Sequence, residues 1–274
     1  MSSTKIKELQ KLRERIVMDT NGFNKKQDET RNIYIANHSC LKDGFYLPMA
    51  LDYDIVTITS ARITYKNQED RKEVFDKYLY TMPMEAHGGK IYSDMCLEYV
   101  TKCLTSGLDI CIFPEGAYVD ENIIYRGRTG GSRVLFDALS YYDCFKINFI
   151  PVAIDVNKKG KDLDSYCFDG ENVKVTFLDP IDYTNDYKEY INTTDIKNRN
   201  ECLHHVTDEA IKSIASYLNR EYVNSYIELF NKGNVIFSNG STVSTEIAQD
   251  PYYTGLYRKE LEKRSDNIIK KLIK

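Results

Sequence analysis

Apolar residues along this chain recur in two rhythms, one of helical period and one of short continuous or alternating runs, and the changeovers divide it into brief elements. Ile6, Leu9, Ile16 and Val17, with Leu12 less regularly placed, mark one face of a helix predicted over residues 5–18 and surrounded by Lys5, Lys7, Lys11, Arg13 and Arg15. The polar stretch 19–31 reads as a linker. Asn32–Ala36 is a β-rich run ending at Asn37-His38, followed by a helix from Asp43 to about Leu51 and a short strand from Ile55 to Thr59. Residues 68–80 read as helix and Thr81–Met84 as an extended segment that His87-Gly88-Gly89 breaks. Over 90–106 Ile91, Met95, Tyr99 and Cys103 recur at every fourth position, which predicts a helix that Gly107 ends.

Asp109–Phe113 is apolar after its first residue, as a strand buried on both faces requires, and Ile147–Ile154 has the same character. A helix is predicted between them over Ser132–Tyr142. Val173–Phe177 alternates and is predicted to be an edge strand. Helices near 199–219, 221–231 and 255–273 complete the chain. Strands alternating with helices over about 30–195 define an α/β fold, with a mixed, largely parallel sheet flanked by helices. The expected division is an N-terminal amphipathic helix and linker (1–29), a main domain (30–220) and a C-terminal helical extension (221–274).

Composition narrows the classes. With 42% hydrophobic and 28% charged residues in 274, the chain can bury a substantial core and is not disordered in bulk. A formal charge of −4 argues against general attraction to nucleic acid. The seven cysteines are an odd number with no C-x-x-C pair and no zinc spacing, so no metal is expected. Met1-Ser-Ser-Thr-Lys leads into no secretory apolar segment, and the expectation is a reduced, cytoplasmic protein. No apolar run approaches the ~20 residues of a membrane-spanning helix.

Two short motifs carry candidate chemistry, each directly after a predicted strand, where ligands of open α/β sheets bind. In Asn37-His38-Ser-Cys-Leu-Lys-Asp43, an imidazole that can accept and return a proton is followed at five residues by a carboxylate. That spacing is poor for one helix face but suits a loop entering a helix, where Asp43 folds back on the ring and fixes its tautomer. Taken alone, the same residues also describe a strand-end histidine with a capping aspartate. In Phe113-Pro-Glu-Gly116, Pro restricts the turn, Gly permits close backbone approach, and Glu115 is held between them; taken alone, it is an ordinary β-turn with a solvated Glu.

Together, H-x-x-x-x-D and F-P-E-G some 75 residues later resemble the glycerolipid acyltransferases, typified by 1-acylglycerol-3-phosphate acyltransferase. Further matches follow in order over roughly residues 30–220: Arg128-Thr-Gly130 where that family has a basic residue past the F-P-E-G glycine, the proline-bearing strand Ile150-Pro151-Val152, and Val175–Ile181, similar to its G-x-P-I turn. The resemblance implies direct acyl transfer with no covalent enzyme intermediate. His38 is then the general base, Asp43 its orienting partner, and Glu115, Gly116, Arg126, Arg128 and Pro151 the substrate-binding residues. No cofactor is implied beyond acyl-CoA or acyl carrier protein as co-substrate. The implied acceptor is a lysophospholipid hydroxyl, by default that of 1-acyl-sn-glycerol-3-phosphate.

Two departures bear on that acceptor. The family's phosphate-gripping arginine between the motifs has no counterpart around Met82–His87, and Ala117-Tyr118 stands where Thr and Arg often follow F-P-E-G. Either the acceptor lacks that phosphate, or Arg126, Arg128, Arg133, Lys90 or His87 substitutes. Cys40 invites a thiol-nucleophile reading, which the histidine motif makes unnecessary. A hydrolase using water, or a non-catalytic acyl-binding module, are the competing classes. The basic amphipathic segments at 5–18 and 255–273 allow peripheral contact with an anionic membrane, or else pack their apolar stripes on the domain.

Overall fold

The computed structural model describes residues 3–22, 30–65, 69–118, 122–141, 146–157, 167–227 and 234–273. In chain order the elements are α1 (Thr4–Arg13), β1 (Val17–Asn21), β2 (Thr30–Ala36), α2 (Asp43–Leu51), β3 (Val56–Ser60), α3 (Ala61–Tyr65), α4 (Glu69–Tyr78), β4 (Tyr80–Met84), α5 (Lys90–Thr105) and β5 (Ile110–Ile112). They continue with β6 (Ile123–Tyr125), α6 (Gly130–Tyr141), β7 (Lys146–Asn157), β8 (Asn172–Phe177), α7 (Thr184–Asn192), α8 (Ile196–Leu218), β9 (Glu221–Val223), β10 (Asn234–Ile236), β11 (Thr242–Ser244), α9 (Thr245–Ala248) and α10 (Pro251–Leu272).

A seven-stranded sheet in the order β1-β8-β7-β2-β5-β3-β4 forms the centre. From β7 to β4 neighbouring strands are parallel, whereas β8 runs antiparallel to β7 and carries β1 parallel to itself. The sheet is therefore mixed and largely parallel, with helices on both faces. Successive residues of the inner strands feed opposite layers: Ile33, Ile35, Ile110, Ile112 and Phe149 join the core with α5, α6, α8 and α10. Tyr34, Ala36, Cys111, Val152 and Ile154 join the core with α1, α2 and α4. Strands buried on both sides read as continuous apolar runs, which is why these were legible.

The middle strands create the crevice. The chain leaves β2 for α2 in one layer and leaves the adjacent β5 for α6 in the other. Two neighbouring strands whose connections part to opposite faces open a gap at their carboxyl ends, the place where such sheets bind ligands. Residues 37–43 and 113–116 both lie there.

Several expected elements differ. The N-terminal helix stops at Arg13, and Val17–Asn21, expected as helix end and linker, forms edge strand β1. Val173–Phe177 is consequently not an edge, because β1 covers it. The predicted helix at 221–231 begins instead as β9, paired parallel with β6; its residues 228–231 lie outside the described set. Both terminal helices pack against the central part of the fold. Ile6, Leu9 and Leu12 of α1 are buried with α2 and the sheet, and Tyr257, Leu261 and Ile268 of α10 are buried against α5 and β4. Most of the apolar positions considered for membrane contact are thus turned into the core, the lower-energy placement for that much apolar surface, while Val17 and Ile273 stay exposed. Among the described residues no helix is long and apolar enough to cross a membrane.

Truncating the fully buried Leu261 to Ala should cost about 2–5 kcal/mol in urea unfolding of the whole chain, with one cooperative transition. A separable C-terminal extension would instead leave the main transition unmoved.

Candidate active site

The turn after β2 is built around one carboxylate. Asp43, the first residue of α2 and fully buried, accepts the backbone N–H of Ser39 at 2.5 Å and of Cys40 at 2.8 Å on Oδ2. The Cys40 thiol donates to Oδ1 at 3.2 Å. His38 Nδ1 lies 3.1 Å from Oδ2. A carboxylate can only accept, so Nδ1 is the donor and, in the neutral ring, Nε2 keeps the lone pair. The position at the head of α2 adds a favourable helix dipole to these bonds. Lys42, buried beside it, pairs with Glu171, which also accepts the Tyr46 hydroxyl, and this anchors the start of α2 to the segment before β8.

Asn37 makes the turn possible at this point. Its side chain accepts from Ile154 N at 2.8 Å and donates to Ile154 O at 3.0 Å, continuing the β2–β7 ladder as the main chain departs. The sequence reading assigned it no role. An amide that mimics a peptide unit is visible only once the opposing strand is known.

The second motif meets the first directly. Glu115 is buried; Oε1 accepts the His38 backbone N–H at 2.8 Å and Oε2 accepts that of Tyr125 at 3.2 Å. It is no solvated turn residue, but a clamp joining the turn after β2 to the turn after β5 and to β6. Burial pushes its carboxyl up to about 7, against the lowering effect of those two N–H donors. Gly116 has φ +80°, a conformation that favours glycine, and its N–H closes the turn on Phe113 O at 3.1 Å. Phe113 lies 4.7 Å from the His38 ring, centroid to centroid, and Tyr118 approaches edge-on at 5.6 Å. The histidine side chain stays 19% exposed between these aromatics, so the ring is walled but reachable.

The other expected site residues divide. Arg128 donates its backbone N–H to Pro114 O at 2.8 Å, which sets it beside the F-P-E-G turn; its guanidinium is exposed, donates to Ile227 O and lies over the Tyr226 ring. Arg126, also expected to bind substrate, forms a two-bond pair with Asp208 at 2.8 and 3.1 Å. Arg133 pairs with Asp94 at 2.7 Å, and Lys90 reaches the same carboxylate at 3.1 Å. Each of these two arginines is thus paired with a carboxylate, whereas Lys90 is exposed and shares Asp94 with Arg133. Pro151 is a buried sheet residue: it stands opposite Ile35, its carbonyl accepts Leu178 N, and the N–H it lacks falls just past the last β7–β8 rung. His87 sits in the turn after β4, where burial and Arg62 lower its pKa, and its Nδ1 is buried with no hydrogen-bond partner. Cys40 is fully buried, which withholds its sulfur from a substrate.

No protein-family model matches the sequence, and no curated protein does. Among solved structures the chain is similar to the 1-acyl-sn-glycerophosphate (LPA) acyltransferase PlsC from Thermotoga maritima, with 15% sequence identity and a TM-score of 0.49, over 77% of this chain and 80% of that one.

The raised carboxyl of Glu115 makes a pH prediction. Between its ordinary value near 4.5 and about 7 the folded chain holds a proton there that the unfolded chain releases. Stability therefore falls as pH rises through that window. The stability of the wild type minus that of Glu115→Gln, followed by chemical unfolding, should fall from about pH 5 to about pH 7. A flat difference would show that Glu115 titrates normally.

Proposed function

We propose that the chain is an acyltransferase in which His38, oriented by Asp43, deprotonates an acceptor hydroxyl that attacks a thioester. The observation that carries this is the 3.1 Å bond from His38 Nδ1 to a buried carboxylate, with the ring left partly open at the carboxyl ends of β2 and β5. The acceptor O–H gives its proton to Nε2 as its oxygen bonds to the thioester carbonyl carbon. The resulting tetrahedral centre collapses, the C–S bond breaks, and the departing sulfur takes the proton back from Nε2. Asp43 holds the ring in the productive tautomer and stabilises the imidazolium while it exists. Glu115 is a positioning residue: it holds the backbone of His38 and so the place of the ring.

No serine or cysteine is needed as a covalent carrier. Cys40 and Ser39 are buried, and both turn their backbone N–H groups to Asp43. The donor in this reading is acyl-CoA or an acyl carrier protein, and the default acceptor is a lysophospholipid hydroxyl, met at the membrane surface from its cytoplasmic side. A second reading keeps the chemistry and uses an acceptor without a phosphate. It is favoured by the pairing of Arg126 with Asp208 and of Arg133 with Asp94, which leaves Arg128 as the exposed guanidinium beside the turn.

Purified protein given acyl-CoA should release free CoA only when the true acceptor is added, and His38→Ala should cut that rate by roughly 10²–10⁴-fold without loss of folding. Release with no acceptor would indicate hydrolysis, and full activity in His38→Ala would remove the dyad from the mechanism. Lysophosphatidic acid and a monoacylglycerol, tested side by side, separate the two acceptor readings.

A further inference from the structure

A cleft of about 400 Å³ lies at the other end of the strands, between α1, the amino end of β4 and α10. That volume falls within the ~300–1,000 Å³ typical of small-molecule sites. Because β4 runs parallel to β3 and β5, its first residues lie at the amino ends of the strands, whereas His38 follows the carboxyl end of β2. The cleft is therefore not the acyl-transfer site.

Its charge is uneven. Lys5, Lys263, Arg264 and Lys271 line it, against two carboxylates, Asp76 and Glu260. Glu260 is taken by the backbone N–H and hydroxyl of Ser238, and Asp76 approaches Arg264 at 3.4 Å. Arg264 is also fixed by bonds to the carbonyl and hydroxyl of Thr81. Lys5 is partly buried and donates only to the neutral carbonyls of Asp76 and Leu79, with its ammonium over the Tyr80 ring at 4.4 Å. Among the described residues, none of the three lysines has a carboxylate within 4.0 Å. Burial brings the Lys5 ammonium down to about 8 despite Asp76, and Arg264 and Lys271 push the same way.

We propose that this cleft binds a phosphate-bearing ligand, with Lys5 and Arg264 at its floor and Lys263 and Lys271 closing over the anion from α10. The two cations at the floor are held in place by their backbone acceptors, so little ordering is required of them on binding. The two exposed lysines supply mobile ammonium donors, and a phosphate dianion matches the excess of positive charge. Tyr65, Leu79 and Ile268, which also line the cleft, offer the organic part of such a ligand a small apolar surface. The site stands whether or not the chain transfers acyl groups, because none of these residues belongs to the dyad.

Calorimetric titration of the full chain with pyrophosphate and with ADP, beside flotation with phosphatidylcholine vesicles containing phosphatidic acid, tests it. The wild type should bind at least one of these phosphates, and Lys263→Gln/Lys271→Gln should bind it about tenfold or more weakly, with Lys263→Arg/Lys271→Arg retaining affinity. Both lysines are exposed, so the variants should fold as the wild type does. Binding to soluble phosphates makes the ligand a free metabolite; binding confined to phosphatidic acid vesicles, with the same variant dependence, makes it a lipid headgroup, and either outcome supports an anion site. No binding to any of the three, or binding that the glutamine variant leaves unchanged, overturns it.

Discussion

The carboxylate of Asp43 is the point on which the candidate active site depends. Burying a carboxylate is costly unless its oxygens are hydrogen-bonded, and Asp43 has two backbone N–H groups, a thiol and an imidazole within reach. Those same bonds dictate the path of residues 38–40, because Ser39 and Cys40 can present their N–H groups to one oxygen only if the chain curls around it. The ring of His38 is then brought to the carboxylate by the same curl. The geometry proposed for catalysis and the loop conformation are here one set of interactions, so a change that frees Asp43 loosens both.

A second buried carboxylate performs the complementary task. Glu115 ties the backbone of His38 to the turn after β5 and to Tyr125, joining segments that lie 77 and 10 residues from it in sequence. The crevice between β2 and β5 exists because their connections leave to opposite layers, and Glu115 spans that crevice at its mouth. One carboxylate fixes the ring and the other fixes the chain that bears it. The aromatic walls of Phe113 and Tyr118 limit water around the imidazole, which strengthens its polar contacts.

What could be read in the sequence follows from where each signal originates. β2, β5 and β7 are buried on both faces, so their apolar runs were visible one residue at a time. α5 repeats its buried positions at helical spacing and was visible for the same reason. β1 is a polar five-residue edge whose existence depends on β8, and β6 and β9 are three-residue strands that mean nothing apart. The His38–Asp43 pair was legible because its partners are close in sequence. The clamp of Glu115 on His38, the ladder mimicry of Asn37 and the pairing of Arg126 with Asp208 were not, since each of these bonds spans at least 77 positions. Counting arginines identified candidates for a phosphate, and only the fold distinguished a matched guanidinium from an open one.

The central claim is that Asp43 holds the neutral His38 ring with Nδ1 protonated and Nε2 bearing the lone pair. Nitrogen-15 chemical shifts of the histidine ring, recorded for the wild type and for Asp43→Asn, measure this directly. The account predicts that the neutral His38 ring is the Nδ1–H tautomer in the wild type and that this preference is lost in Asp43→Asn. An Nε2–H tautomer in the wild type, or a ring indifferent to the substitution, would contradict it.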